Sequence, residues 1–162
     1  MWKTSLVAVL LGTSLLAQAQ QPSAQQVVQW QLQVVRDGQQ IDSFDGSTSV
    51  GQARTDTHHQ VAQHNVGCKD APGGSIDLSR TLTISPIEAN ANEVTLAIDA
   101  QETLEDDSAS QTDTGCRLPP PREVTASHPG LKVPAGQWVT WQIVDRNPNL
   151  MYRVRASLAS NS

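Results

Sequence analysis

Residues 27–35 read VVQWQLQVV, and this stretch decides the fold. Apolar side chains alternate here with three glutamines, so an extended chain has one apolar face and one polar face. A β-strand turns successive side chains to opposite sides of its sheet. The stretch therefore predicts a strand that covers a hydrophobic core on one side and meets solvent on the other. Its apolar face consists of Val28, Trp30, Leu32 and Val34.

Two turn signals follow this strand at a spacing of eight residues. The dipeptide Asp37-Gly38 ends the strand, and the dipeptide Asp45-Gly46 follows the short apolar stretch 41–44. Such pairs favour the tight turns of β-hairpins, because glycine adopts a positive φ without steric cost. This region therefore predicts a meander of short antiparallel strands.

The rest of the chain repeats the strand pattern. Apolar and polar residues alternate strictly in residues 150–158, whereas helical periodicity is matched only loosely, by residues 98–107. The segment 145–149, DRNPN, predicts a turn before the last strand, and residues 128–130, HPG, predict another turn. Further strands are predicted at 78–84, 94–100 and 137–144.

Length and strand number together predict the fold class. The chain has 162 residues, which is one domain's worth, and we expect a single β domain over residues 27–160. Six to eight short strands predict an all-β fold, namely a two-sheet antiparallel β-sandwich of immunoglobulin-like style. A small β-barrel is the alternative. No tryptophan lies between the two cysteines, so immunoglobulin topology itself stays open.

The first nineteen residues have the three parts of a secretory signal peptide. A positive start at Lys3 precedes an apolar run over residues 6–16, and small residues follow at Ala17 and Ala19. This pattern predicts cleavage before Gln20, a flexible segment over residues 20–26 and a periplasmic or secreted protein. The alternative, an uncleaved anchor, needs about 20 apolar residues, which is more than this run provides.

Export predicts the state of the two cysteines, Cys68 and Cys116. In an oxidising compartment two cysteines in one small domain most simply form one disulfide, which would stabilise the fold by about 4 kcal/mol. The alternative is a pair of thiols that binds metal or takes part in redox chemistry. No C-x-x-C spacing supports that alternative.

Charge argues against some classes of partner. The chain has 11 basic and 16 acidic residues, and its net charge is −5. Binding to nucleic acid needs clustered lysines and arginines, so we expect no nucleic-acid partner. No stretch beyond the signal peptide predicts a membrane span. The acidic run Glu102, Glu105, Asp106 and Asp107 lacks the spacing of a known calcium loop and predicts a solvated charged surface.

Three histidines are the best candidates for a metal site. His58, His59 and His64 lie within one short stretch. On an extended chain His58 and His59 point to opposite sides, and His64 lies about 20 Å from His58. Solvated histidines are the competing interpretation. We therefore predict no metal ion and no cofactor.

Residues 138–158 provide three candidates for an interaction surface. Trp138 and Trp141 are three positions apart, so on a straight strand they face opposite sides, and Trp141 is the better core candidate. An exposed Trp138 would resemble the aromatic anchors of protein interfaces. Two alternatives remain: both faces of this strand are covered in a two-sheet core, or a β-bulge brings both rings to one side. Arg153 and Arg155 point outward together and would pair with carboxylates of a partner or protect a sheet edge.

Two short segments carry a resemblance. Residues 34–44, with VVRDG and IDSF, and residues 128–138, with HPGL and VPAGQW, resemble small exported proteins of Gram-negative bacteria that lack an assigned function. The resemblance implies an envelope location and a β-rich fold. It transfers no functional residue.

Three functional hypotheses follow. The first is a non-enzymatic periplasmic module that binds another component of the cell envelope, because no nucleophile motif such as G-x-S-x-G is present. The second is a copper- or zinc-binding protein centred on the three histidines. The third is a small hydrolase whose catalytic residues meet only in the folded chain.

Overall fold

A computed structural model describes residues 25–64, 74–105 and 120–160, and all its regular elements in these ranges are β-strands. They form two four-stranded antiparallel sheets that pack face to face and do not close into a barrel. The predicted two-sheet β-sandwich is thus confirmed. The strands are β1 (Val27–Arg36), β2 (Gln39–Ser49), β3 (Arg54–His64), β4 (Gly74–Ala89), β5 (Glu93–Glu105), β6 (Pro121–Pro134), β7 (Val139–Val144) and β8 (Leu150–Leu158).

The two sheets use the chain in different ways. The first sheet has the order β2-β1-β8-β7 and joins an N-terminal hairpin to a C-terminal hairpin through the β1–β8 pairing. The second sheet has the order β3-β4-β5-β6, which is a simple meander. This connectivity differs from the immunoglobulin fold, in which the chain crosses between the two sheets three times, after strands B, C and E.

The alternation in β1 sets the position of the core. Its even-numbered apolar residues are almost fully buried, and Leu32 and Val34 have no exposed surface. The apolar faces of β4, β5 and β6 meet them across the sandwich, and β8 extends the same apolar face beside β1. Each fully buried large apolar side chain contributes about 1.5–3 kcal/mol to folding. The largest fully buried apolar side chains include Leu32, Leu82, Ile84, Leu96, Ile98 and Leu150.

The first predicted turn is confirmed and the second is wrong. Asp37 and Gly38 both have positive φ, 49° and 83°, as the tight turn between β1 and β2 requires. Asp45 and Gly46 instead lie inside β2. A Cβ atom on Gly46 would come within 2.7 Å of the Trp30 ring. Glycine is therefore needed here for close packing, because it lets the indole fit beneath the strand.

The predicted turn at residues 128–130 is also wrong. These residues lie inside β6, where His128 pairs with Ile98 and Leu131 pairs with Leu96. Pro129 and Gly130 of β6 therefore lie opposite a single residue of β5, Ala97. Such an irregularity is a β-bulge, and bulges tolerate proline because the ladder is already interrupted there.

Several predictions concern residues outside the described ranges. The signal peptide 1–19 with its cleavage site before Gln20, and both Cys68 and Cys116, belong to this group. The signal peptide and the disulfide therefore stay predictions. Within the described ranges, the structure contains no helix long and apolar enough to cross a membrane.

Candidate functional site

The structure brings the three predicted interaction residues together on the outer face of the first sheet. The guanidinium of Arg153 lies 5.2 Å from the centre of the Trp138 ring, and that of Arg155 lies 5.4 Å from it. Both distances are within the range of cation–π attraction. We call these three residues the arginine–tryptophan patch.

Strand register explains how the patch forms. Arg153 and Arg155 are alternate residues of β8, so both point away from the core. Thr140 of β7 pairs with Arg153, and Trp138 lies two residues before Thr140, just outside the strand. The indole therefore reaches the same outer face as the two guanidinium groups.

Trp138 and Trp141 face opposite sides, as the spacing predicts. Trp141 pairs with Tyr152 on the inner face, and their rings meet edge to face with 5.7 Å between centres. Trp138 is half-buried and contacts the outer arginines. Trp141 thus supports the core, and Trp138 is the indole available at the surface.

The charges of the patch are not neutralised by acidic neighbours. Arg153 and Arg155 form no ion pair with any residue of the described ranges, and Arg155 is exposed. Four other cationic side chains do have carboxylate partners, with N–O distances of 3.7, 2.9, 2.6 and 3.5 Å for Arg36, Arg54, Arg80 and Lys132. The patch therefore offers two free guanidinium groups that an aromatic ring holds in place.

A second polar region lies between the sheets, and the sequence did not predict it. Neighbouring strands of the second sheet place His58, Arg80 and Glu102 side by side in one inward row. The first sheet places Asp42, Val34 and Tyr152 in a row of its own. Polar residues of the two rows meet across the sandwich. We call this set the inter-sheet polar chain: Tyr152, Glu102, Arg80, Asp42 and His58.

The hydrogen bonds of the inter-sheet polar chain are continuous. Arg80 donates Nε to Oε1 of Glu102 at 2.9 Å and Nη2 to Oε2 at 3.1 Å. The Tyr152 hydroxyl donates to the same carboxylate. Nη1 of Arg80 donates to Oδ2 of Asp42 at 2.6 Å, and Nδ1 of His58 lies 3.0 Å from Oδ1 of Asp42. Glu102 and Arg80, whose side chains are the least exposed of the charged members, therefore both have charged partners, as burial requires.

The pKa values show how hydrogen bonds within the inter-sheet polar chain favour the charged forms of Arg80 and Asp42. Burial alone would lower the pKa of Arg80, but the hydrogen bonds to Glu102 and its negative charge raise it above the usual value. Burial would raise the pKa of Asp42, but hydrogen bonds from His58 and Arg80 hold it below its usual value. Burial and the charge of Glu102 raise the pKa of Tyr152. The Tyr152 hydroxyl therefore keeps its proton and donates a hydrogen bond to Glu102.

Glu102 corrects the prediction for the acidic run. It is 1% exposed, whereas a solvated charge was predicted. A signal for burial is present in the sequence, since Glu102 alternates with the apolar residues Ala100 and Leu104, as Arg80 does with Leu78 and Leu82. A charge on an otherwise apolar strand face indicates a buried partner. Asp106 and Asp107 lie outside the described residues.

His58 and His59 do not converge on one ion. His58 points inward to Asp42 and stacks on Phe44, with 3.9 Å between ring centres. His59 points outward, where its Nδ1 lies 3.4 Å from Asp77. The side chain of His64 is outside the described set. Within that set, no three histidine, cysteine or acidic side chains lie close enough together to hold a metal ion.

A cleft of about 740 Å³ lies beside His58, between the start of β2 and the β3–β4 hairpin. It contains a histidine–carboxylate pair and Ser79, the residue types of a hydrolase. However, the Ser79 hydroxyl is bonded to Thr103 on the outer face at 3.1 Å, whereas His58 is on the inner face. The sheet therefore separates Ser79 from His58. His59 lies opposite Ser79 on the outer face, but the hydrogen bond of the Ser79 hydroxyl is to Thr103, and the nearest carboxylate to His59 is the exposed Asp77. Nucleophilic catalysis needs the nucleophile in contact with its base.

No protein-family model matches the chain, and no curated protein or solved structure is significantly similar to it.

Proposed function

We propose that this chain is an exported, non-enzymatic β-sandwich module that binds another component of the cell envelope through the arginine–tryptophan patch. One observation carries the proposal, namely two guanidinium groups that lie over the half-buried Trp138 ring and form no ion pair within the described residues. Tryptophan and arginine are the residue types most enriched among the residues that dominate interface energies. The patch therefore has the composition of a binding site.

Export and a disulfide complete the proposal. The N-terminal pattern supports secretion, and Cys68 and Cys116 support a bridge in an oxidising compartment. The connections that contain them leave β3 and β5 at one end of the same sheet. N-terminal sequencing of the periplasmic protein is expected to begin at Gln20. Its mass is expected to be lower than the reduced mass by two hydrogens.

Site-specific photocrosslinking in intact cells tests the binding function. A photoreactive amino acid replaces Thr140, which pairs with Arg153 on the outer face. The matched control replaces Thr125, an exposed residue on the outer face of the other sheet. We expect one identified envelope partner to crosslink at position 140 only, and to be lost when Arg153→Gln and Arg155→Gln are combined.

The crosslinked partner must then bind in purified form. Saturable binding that the double arginine variant weakens supports the proposal. Equal crosslinking at positions 140 and 125, or no adduct at position 140, overturns it. Saturable turnover of an envelope substrate by the purified protein overturns its non-enzymatic part.

A further inference from the structure

The geometry points to the kind of partner that the patch takes: an extended, acidic protein segment that carries carboxylates at alternate positions. This inference rests on the proposed function and adds the chemistry of recognition. The inference has three requirements. The spacing of Arg153 and Arg155 must match such a segment, their charges must be available to it, and the neighbouring residues must leave room for it.

Spacing is the first requirement. Arg153 and Arg155 are alternate residues on β8, so their Cα atoms are about 6.8 Å apart along the strand. An extended segment has the same repeat between residues i and i+2. Two carboxylates at alternate positions therefore meet both guanidinium groups at once. Carboxylates three residues apart point to opposite sides of their own strand and reach one guanidinium only.

Free charge in a fixed geometry is the second requirement. Neither arginine has an acidic partner within the described ranges, and the Trp138 ring contacts both guanidinium groups. Cation–π attraction to a ring uses no N–H hydrogen bond, so the guanidinium can still bind a carboxylate through two parallel hydrogen bonds. Holding the side chains in place also lowers the entropy lost on binding.

The neighbours of the patch determine where the segment lies. Gln31 pairs with Arg155 and Gln33 pairs with Arg153, so the two glutamine side chains share the outer face with the arginines. Beyond Gln31 the next strand places Asp45, which repels carboxylates. An acidic segment is therefore confined to the side of the sheet formed by β7 and β8.

The small number of cations in the patch favours a protein segment over a membrane or a nucleic acid. Those polyanions bind clusters of four or more cations, whereas the patch has two arginines on a chain of net charge −5. Two well-placed carboxylates suit two guanidinium groups better than a densely charged surface does.

Two isomeric peptides test the inference directly. The capped peptides TETETET and ETTETTE have the same composition, but only the first has glutamates at alternate positions. Each is titrated into the ¹⁵N-labelled protein, and the NMR shifts of the Trp138 indole N–H and the arginine Nε–H groups are followed. We expect TETETET to bind at least about tenfold more tightly than ETTETTE, since one charged hydrogen-bonded pair is lost in the latter.

Three controls make the result specific. The peptide TQTQTQT removes the charge, and the variant Arg153→Gln/Arg155→Gln removes the proposed contacts. The variant Lys132→Gln removes an exposed cation that pairs with Glu93 on the other sheet. We expect the uncharged peptide and the double variant to lose binding, and the Lys132 variant to keep it. Thermal unfolding of each variant verifies that it is folded.

The outcomes separate this inference from the proposed function. Equal affinity for the two acidic peptides overturns recognition of alternating carboxylates. So does a loss of TETETET binding in the Lys132→Gln variant that equals the loss in the double arginine variant. Tighter binding to phosphatidylglycerol vesicles than to TETETET overturns it in favour of a lipid headgroup. If crosslinking at Thr140 still identifies a partner, the proposed function stands while the inference fails. If crosslinking fails as well, both fail.

Discussion

Arg80 and the pair Arg153/Arg155 show the same side chain in two different roles. Arg80 lies between the sheets, where a bidentate carboxylate, Glu102, and a second carboxylate, Asp42, neutralise it. The outer arginines contact an indole and have no carboxylate within the described ranges. The difference shows that burial obliges a charge to find partners inside the fold. A charge at the surface remains available to a partner from outside.

Energetics give the two regions opposite sensitivities. Removing one member of a buried ion pair leaves the other unpaired in a medium that solvates it poorly, which costs far more than the pair contributes. Removing an exposed charge changes stability little, because water already solvates it. Substitutions between the sheets are therefore expected to affect folding. Substitutions in the patch are expected to affect binding alone.

The largest effect is expected for Glu102→Gln. This change leaves the buried Arg80 without its bidentate carboxylate, and we expect the free energy of unfolding to fall by about 3–5 kcal/mol. Urea denaturation followed by tryptophan fluorescence measures it. The matched control is Glu88→Gln at an exposed position of β4. A loss below about 1 kcal/mol for Glu102→Gln would mean that the inter-sheet polar chain does not hold the sheets together.

Tyr152→Phe is expected to have a smaller effect. It removes the hydroxyl that donates to Glu102 and keeps the buried ring, so the expected loss is about 1–3 kcal/mol. Combined with Glu102→Gln, the loss is expected to be less than the sum of the two, because both changes remove the same hydrogen bond. Strict additivity in urea denaturation would show that the two residues do not act together.

Acid sensitivity distinguishes the two regions further. The pKa of Asp42 in the folded chain lies below its unfolded value of 3.8. The stabilisation from ionised Asp42 is therefore fully present above that value and is lost as the pH falls through the lowered folded pKa. We expect the difference in unfolding free energy between the native chain and Asp42→Asn to shrink below about pH 4. A difference that stays constant down to about pH 2 would contradict this linkage.

The smallest effect on stability is expected in the patch. Arg153→Gln combined with Arg155→Gln is expected to change the free energy of unfolding by no more than about 0.5 kcal/mol. The same variant is expected to lose the crosslink at Thr140. If its unfolding midpoint falls as far as that of Glu102→Gln, the outer arginines are structural and the contrast between the regions disappears.

The sequence predicted a strand most accurately where one of its faces is buried and the other is exposed to solvent. β1 and β8 alternate along most of their length in sequence and in burial, which is why their predicted bounds are nearly correct. The two segments that were wrongly predicted to be turns contain glycine for reasons other than a turn. Gly46 makes room for Trp30, and Gly130 belongs to a bulge in β6. A dipeptide signal cannot distinguish a turn from a close approach or a bulge, because glycine serves all three.

The site was predictable in part for a similar reason. The alternation on β8 gave the shared outward face of Arg153 and Arg155, but the approach of Trp138 depends on the β7–β8 register. The inter-sheet polar chain depends on how two sheets face each other, and a local pattern contains no such information. The placement of Arg80 and Glu102 on apolar faces was the one available sign.

The affinity of the crosslinked partner for the native chain and for its arginine variant tests the central claim most directly. Calorimetry with the purified partner compares the native protein, the Arg153→Gln/Arg155→Gln variant and the Lys132→Gln control. We predict a weakening of about a hundredfold in the double arginine variant, about tenfold for each charged hydrogen-bonded pair, and no change in the control. Equal dissociation constants for all three proteins would contradict the claim that the free guanidinium groups are the binding site.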